Sequence, residues 1–359
     1  MNTMENYAAQ KTSAETLANI NVLLQEQSKT KKSASYPSSH VFYDMYNSFA
    51  STLSTDEKMS LHAFFHSCEK SLGEARAKNI NSSQFWLDYT HQFYENFDDN
   101  VKTAMSILYF PAIGFHKYVQ NNYAEAIAYT EKAIAAIDIL KQEDMRFIIA
   151  SKTEQYVNIC RVLFAKKDYD KAFAESGNLL LYVLTGNTSS STYTFQDEVF
   201  VKNLDTPMYK TMVNYVTNEL ITKLYKLGDE YNEQKKLQQL FSPIWNALAS
   251  GDSFAMMGYK EFVQSLQYYV EGNYTNFLEQ IEEVLSLEYE IPNMLQYLIF
   301  DKLQLLENKI AYPEFATLKA NIAHYYKQAL EFNPTDLVKN THNSSPLRKL
   351  INEAEPSSN

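Results

Sequence analysis

Two histidines at helical spacing, His62 and His66, come nearest to a metal-binding pattern in this 359-residue chain. Residues four apart share a helix face, so their imidazoles could meet one ion, with Cys68 and Glu69 beside them. His91 and Glu95 would add ligands only if the next predicted helix turned its face toward them. A glutamate directly after His62 would make a zinc-protease helix, but Ala63 stands there. The pair therefore reads as structural or exposed, and no metal site is assigned. Carboxylates are paired at Asp98-Asp99 and Glu282-Glu283, at predicted helix starts or on exposed faces where solvation accounts for them. General acid–base work needs a carboxyl held in a shaped cleft. Neither a Gly-rich phosphate loop nor a G-x-S-x-G elbow occurs. No catalytic residue and no cofactor are expected.

The elements around these residues must be helices. Only 8 residues are Gly and 9 are Pro, whereas 27 are Tyr and 21 are Phe. Turn-rich β folds need more of the first two. A chain so rich in aromatic residues buries enough area to fold. The formal net charge of −11 disfavours nucleic acid, whose phosphates require clustered Lys and Arg. No apolar run approaches the roughly 18 residues that span a membrane, and the polar start lacks a signal-peptide core. A cytoplasmic protein with buried, reduced Cys68 and Cys160 is expected.

Along the chain, residues 1–39 form an N-terminal helix and a flexible linker. Ala14, Leu17, Ala18, Asn21 and Leu24 trace one side of that helix, and Pro37 lies in a Lys- and Ser-rich stretch. Periodicity does not decide whether the helix docks in cis or on a second copy, which leaves a homodimer open. Residues 40–97 read as an N-terminal helical bundle or cap. Val41, Phe42, Met45, Tyr46 and Phe49 recur at helical spacing, and Ser54 with Glu57 forms a capping box. Leu61, Phe64, Phe65, Cys68 and Leu72 point inward. A third helix begins after Asn81 or Ser82. Residues 98–334 read as paired long helices over 99–119 and 122–141, 143–166 and 168–184, 206–227 and 230–249, 253–270 and 274–287, and 291–309 and 312–332. A Ser/Thr-rich loop interrupts them at 185–207, and a tail follows at 335–359.

Phe110, Ile113, Gly114, Ala126 and Ala133 fall on the W-x2-L-G…A…A spacing of the tetratricopeptide repeat, which this segment resembles. Gly114 and the alanines would let two helices approach closely, with Phe110 and Tyr123 between neighbouring pairs. Lys167-Asp-Tyr-Asp-Lys-Ala172 and Gly272-Asn-Tyr-Thr-Asn-Phe277 echo the second helix, and Tyr325 to Pro334 resembles a repeat's end. The chain departs from the family at Lys117 and Thr130, and Tyr123 lies 46 residues before Tyr169, where the family spacing is 34. The resemblance implies an all-α, helical-hairpin solenoid, a right-handed superhelix whose first helices line a concave face.

Carried onto this sequence, that face holds Phe115 and Tyr118, then Asn158 and Arg161, then Asn214 and Tyr215. Asn amides can pair with a bound peptide backbone and Arg with a carboxylate. The leading expectation is a non-catalytic scaffold that binds a protein or peptide partner, without nucleic acid or membrane. A second reading, similar to bacterial sensors that join a helical bundle to such an array, lets the bundle at 40–97 contact an effector when peptide binds. A third is an all-helical enzyme without a recognisable motif.

Overall fold

The structure is a computed structural model that describes residues 2–30, 53–140, 146–185, 206–227, 233–251, 258–287 and 292–329. The expected linker beyond Thr30, the helix at 41–49, the body of the 185–207 loop and the tail after Pro334 lie outside these residues. Among the described residues there are thirteen α-helices and no strand. The helices are α1 (Asn2–Thr30), α2 (Thr55–Arg76), α3 (Ile80–Asn96), α4 (Asp99–Val119), α5 (Tyr123–Ile139), α6 (Arg146–Ala165) and α7 (Tyr169–Thr185). They continue as α8 (Thr206–Lys226), α9 (Glu233–Ala249), α10 (Tyr259–Glu271), α11 (Tyr274–Ser286), α12 (Asn293–Leu305) and α13 (Glu314–Ala329).

Local chemistry sets the ends. Ser54 and Glu57 close a reciprocal capping box at the start of α2, and the Asp98 carboxylate accepts from the Asn100 and Val101 amides at the start of α4. Helix α3 begins at Ile80 after Asn79, two residues ahead of the expected start.

Four hairpins share one turn. Lys78, Asn121, Lys167 and Gly272 each take a positive φ, of 63°, 61°, 64° and 77°. At each, the left-handed residue donates its N–H to the carbonyl three back, and the next residue donates to the carbonyl five back, as from Asn121 to Tyr118 and from Asn122 to Lys117. This Schellman pairing satisfies the carbonyls that the helix end leaves open. The residue after the left-handed one (Asn79, Asn122, Asp168 or Asn273) then starts the second helix by accepting from the amide four on. Seven residues before each left-handed position sits a small buried side chain or none: Ser71, Gly114, Cys160 and Ser265. A Cβ built on Gly114 would lie 3.1 Å from the Ala126 carbonyl oxygen, and in the first hairpin Ser71 Oγ donates to the equivalent carbonyl of Ser83 at 3.1 Å. The segment read from sequence as a bundle or cap, residues 40–97, therefore contains the same hairpin in α2–α3. Ser71 and Ser83 stand in it where Gly114 and Ala126 stand in the next.

The chain divides into two compact units. The first comprises Ser38–Glu175 with Asn203–Met208, and the second Met1–Pro37, Ser176–Lys202 and Tyr209–Asn359. No division falls at 97/98. Leu61, Phe64 and Cys68 of α2, Leu87 and Tyr94 of α3, and Val101, Met105 and Tyr109 of α4 form one core, so bundle and array share α4. Phe64 meets Phe97 edge-on at 5.5 Å, and Tyr94 stacks on Tyr109 at 4.3 Å. Phe65 and Leu72, expected inward, are only half-buried beside it.

Within the second unit α1 does not stand apart. It packs on α11 and α13. Leu17, Ile20 and Leu24 are fully buried, while Ala18, expected on the packed face, is exposed because the buried spacing runs through Ile20 instead. The other buried side chains among those described on α1, from Ser13 onward, are polar, among them Ser13, Asn21 and Gln27. Three such apolar burials stabilise by about 1.5–3 kcal/mol each, and a neutral hydrogen bond by about 0.5–1.5 kcal/mol net, before ordering costs are subtracted. No helix among the described residues is long and apolar enough to cross a membrane.

Candidate functional site

Helices α4, α5 and α6 of the first unit enclose a cleft of about 230 Å³. Pro111, Gly114, Phe115 and Tyr118 line it from α4, Thr130 from α5, and Asn158, Arg161 and Val162 from α6. Four of the six residues expected on a binding face, Phe115, Tyr118, Asn158 and Arg161, thus meet in one place. Asn214 and Tyr215 are half-buried on α8 in the second unit and are not among the cleft's lining residues. The Asn214 Oδ1 atom is buried without a hydrogen-bond partner.

Sequence chemistry explains the cleft's shape. Gly114 lets α5 come close to α4, with the Ala126 carbonyl oxygen 3.1 Å and Thr130 Oγ 3.3 Å from the place a Cβ would take, and Gly114 and Thr130 both line the cleft. The Thr130 hydroxyl is turned inward by donation to the Ala126 carbonyl at 2.8 Å. An aromatic side chain there, as the tetratricopeptide pattern would have, would add bulk where the cleft now lies. Pro111, inside α4, has no N–H to return to the preceding turn and gives its ring to the wall.

The walls differ in chemistry. Phe115 and Tyr118 stack with centroids 5.9 Å apart, and the Arg76 guanidinium sits 6.0 Å from the Phe115 centroid. On the facing helix Arg161 Nη1 donates to Asn158 Oδ1 at 2.7 Å, and Asn158 Nδ2 donates to Gln155 Oε1 at 3.3 Å. That chain fixes the Asn158 amide and aims the guanidinium. Burial raises the Tyr118 hydroxyl pKa, with Tyr123 adding to the effect and the Arg161 charge opposing it. The result is an apolar slot with one amide and one cation at its edge.

The other chemically capable residues do not converge. His62 and His66 are exposed, and His66 meets Trp86 edge-on at 6.2 Å. His91 stacks on Tyr109, whose hydroxyl lies 2.9 Å from Nδ1. Among the described residues no group of three His, Cys, Asp or Glu side chains is placed to hold a metal ion. Cys68 and Cys160 are buried and form no disulfide, and burial pushes the Cys68 thiol up to about 12. His116 is enclosed between hairpins. The Gln120 amide donates to its Nε2 at 3.0 Å, so the ring proton sits on Nδ1 and is given to Ser83 Oγ at 2.8 Å. In the second unit Lys302 Nζ and the Tyr225 hydroxyl both reach Asp301 Oδ2 at 3.0 Å, wholly inside the protein.

Comparison with protein-family models, with curated proteins and with solved structures finds no match to this chain. The likeness to tetratricopeptide repeats accordingly rests on the chain's own spacings and turns.

Proposed function

We propose that this protein is a non-catalytic binding module of tetratricopeptide-like helical hairpins, and that the α4–α5–α6 cleft receives a residue of a peptide or protein partner. One observation carries the reading. Phe115 and Tyr118 on the first helix of one hairpin, and Asn158 and Arg161 on the first helix of the next, line a single cleft. First helices facing a common groove are what the repeat resemblance implies, and the shared turns at Asn121 and Lys167 support the repeat. The cleft is smaller than the roughly 300–1,000 Å³ of pockets that engulf a small ligand. It suits one anchoring side chain, with the Asn158 amide placed to pair with partner backbone and Arg161 with a partner oxygen.

The test is a display library of random peptides panned on the immobilised full chain and, in parallel, on an Asn158→Ala/Arg161→Ala variant. Wild type should enrich a common motif whose binding falls about 10- to 100-fold in a variant with unchanged circular dichroism, the effect of losing charge-assisted bonds. Equal enrichment on both proteins would remove the cleft from the function. Failure of wild type to enrich anything would overturn the peptide-binding reading.

A further inference from the structure

The seating of α1 has its own chemistry, separate from the cleft. On the α13 side, Asn321 Nδ2 donates to Asn21 Oδ1 at 2.8 Å and to the Asn21 carbonyl at 3.4 Å, while its own Oδ1 accepts from Gln25 Nε2 at 3.1 Å. On the α11 side, Ser13 and Thr275 hydroxyls lie 3.2 Å apart, Asn19 Nδ2 donates to Glu282 Oε1 at 2.9 Å, and Gln27 Nε2 donates to the Leu285 carbonyl. Only Leu17, Ile20 and Leu24 bring full apolar burial among the side chains described there. We propose that the α11–α13 groove is a helix-binding surface for which α1 is an exchangeable occupant, so that the first helix of one chain docks on the groove of a second copy.

Three features lead there. Undocking α1 returns mostly amides and hydroxyls to water, which bonds them nearly as well, and uncovers three large apolar side chains on the helix. Docking in trans remakes every contact of docking in cis, so the two differ only through effective concentration. Thr30 and Leu53 are separated by 22 residues, which bounds the distance between them at about 70–80 Å. The Asn21–Asn321 pair also sets the register. A generic amphipathic helix without amides at the positions of Asn21 and Gln25 would leave Asn321 only the long bond to backbone, so the groove favours this chain's own helix.

The probe is a dye-labelled synthetic peptide of residues 2–30, titrated by fluorescence anisotropy against two full-length proteins. One is wild type; the other carries Leu17→Asp/Leu24→Asp, which disables its own α1. The variant should bind the peptide at least 10-fold more tightly than wild type, whose groove is already filled. A peptide carrying the same two aspartates should bind neither protein. Equal affinity for both proteins, or no binding to a variant that unfolds cooperatively, would overturn the proposal. Hydrogen exchange on wild type tests it without any variant. Amides of α1 should exchange at least 100-fold faster than those of α11, because α1 leaves by local opening. Protection equal to that of α11 would mean that the helix departs only with global unfolding, and the proposal would fail.

Discussion

His116 shows how one side chain ties hairpins together and at what cost. Its ring bridges Ser83 of α3 and Gln120 beyond α4, and Ser83 is bonded in turn to Ser71 of α2. Burial lowers its pKa below the ordinary 6.5, the neighbouring Lys117 charge adds to that, and Asp88 opposes it. The folded state therefore holds the ring neutral while the unfolded chain binds a proton near pH 6.5. Stability from this group is complete above that pH and declines as pH falls through 6.5 toward the lowered value. Thermal melts of wild type and His116→Gln between pH 7.5 and 5 should converge as pH falls; parallel curves would refute the assignment. Gly114 and Gly73 make an opposed pair on the same scale. Gly114→Ala forces a methyl against a backbone oxygen at 3.1 Å and should cost about 1–3 kcal/mol, whereas Gly73→Ala, with nothing within 4 Å, should gain about 0.5–1 kcal/mol. Urea denaturation midpoints separate the two signs. Gly114 was legible from its spacing to Ala126. His116 was not, because nothing in a linear pattern says that an isolated histidine will meet a serine and a glutamine.

Among the elements, the repeated turn is the most economical device in the chain. It asks for one left-handed residue, one polar starter and one small side chain a fixed distance back. Lys78 and Lys167 occupy left-handed positions without being Gly, which costs about 1–2 kcal/mol of local conformational energy. Lys78→Gly and Lys167→Gly should each stabilise by roughly 0.5–1 kcal/mol once the greater freedom of unfolded glycine is subtracted, and Gly272→Ala should do the reverse. Chevron or equilibrium denaturation curves measure all three, and a loss on Lys167→Gly would mean that its side chain matters more than its backbone. Helix limits followed the periodicity closely, as at α4, predicted over 99–119 and found as Asp99–Val119. The turn at Lys78 escaped notice because Ser71 and Ser83 replace the Gly and Ala that mark a repeat. Ile20 was missed on α1 because small, weakly apolar alanines beside it compete for the same face.

On the scale of the molecule, composition foretold an all-helical chain, since so few Gly and Pro leave room for little else. The grouping of helices into units was hidden, because its boundary falls inside α7, between Glu175 and Ser176, where an unbroken helical pattern carries no mark. One arrangement bears on how the protein is made. Helix α1 is synthesised well before its seat on α11 and α13, whose contacting residues lie 258 to 300 positions downstream. At roughly 5–20 residues per second, the ribosome leaves it without that seat for about 13–60 seconds. A greasy helix kept waiting that long would recruit chaperones or its neighbours on the polysome. One whose described contacts beyond Leu17, Ile20 and Leu24 are serine, threonine, asparagine and glutamine can wait in water, and it closes the second unit only after α13 has emerged.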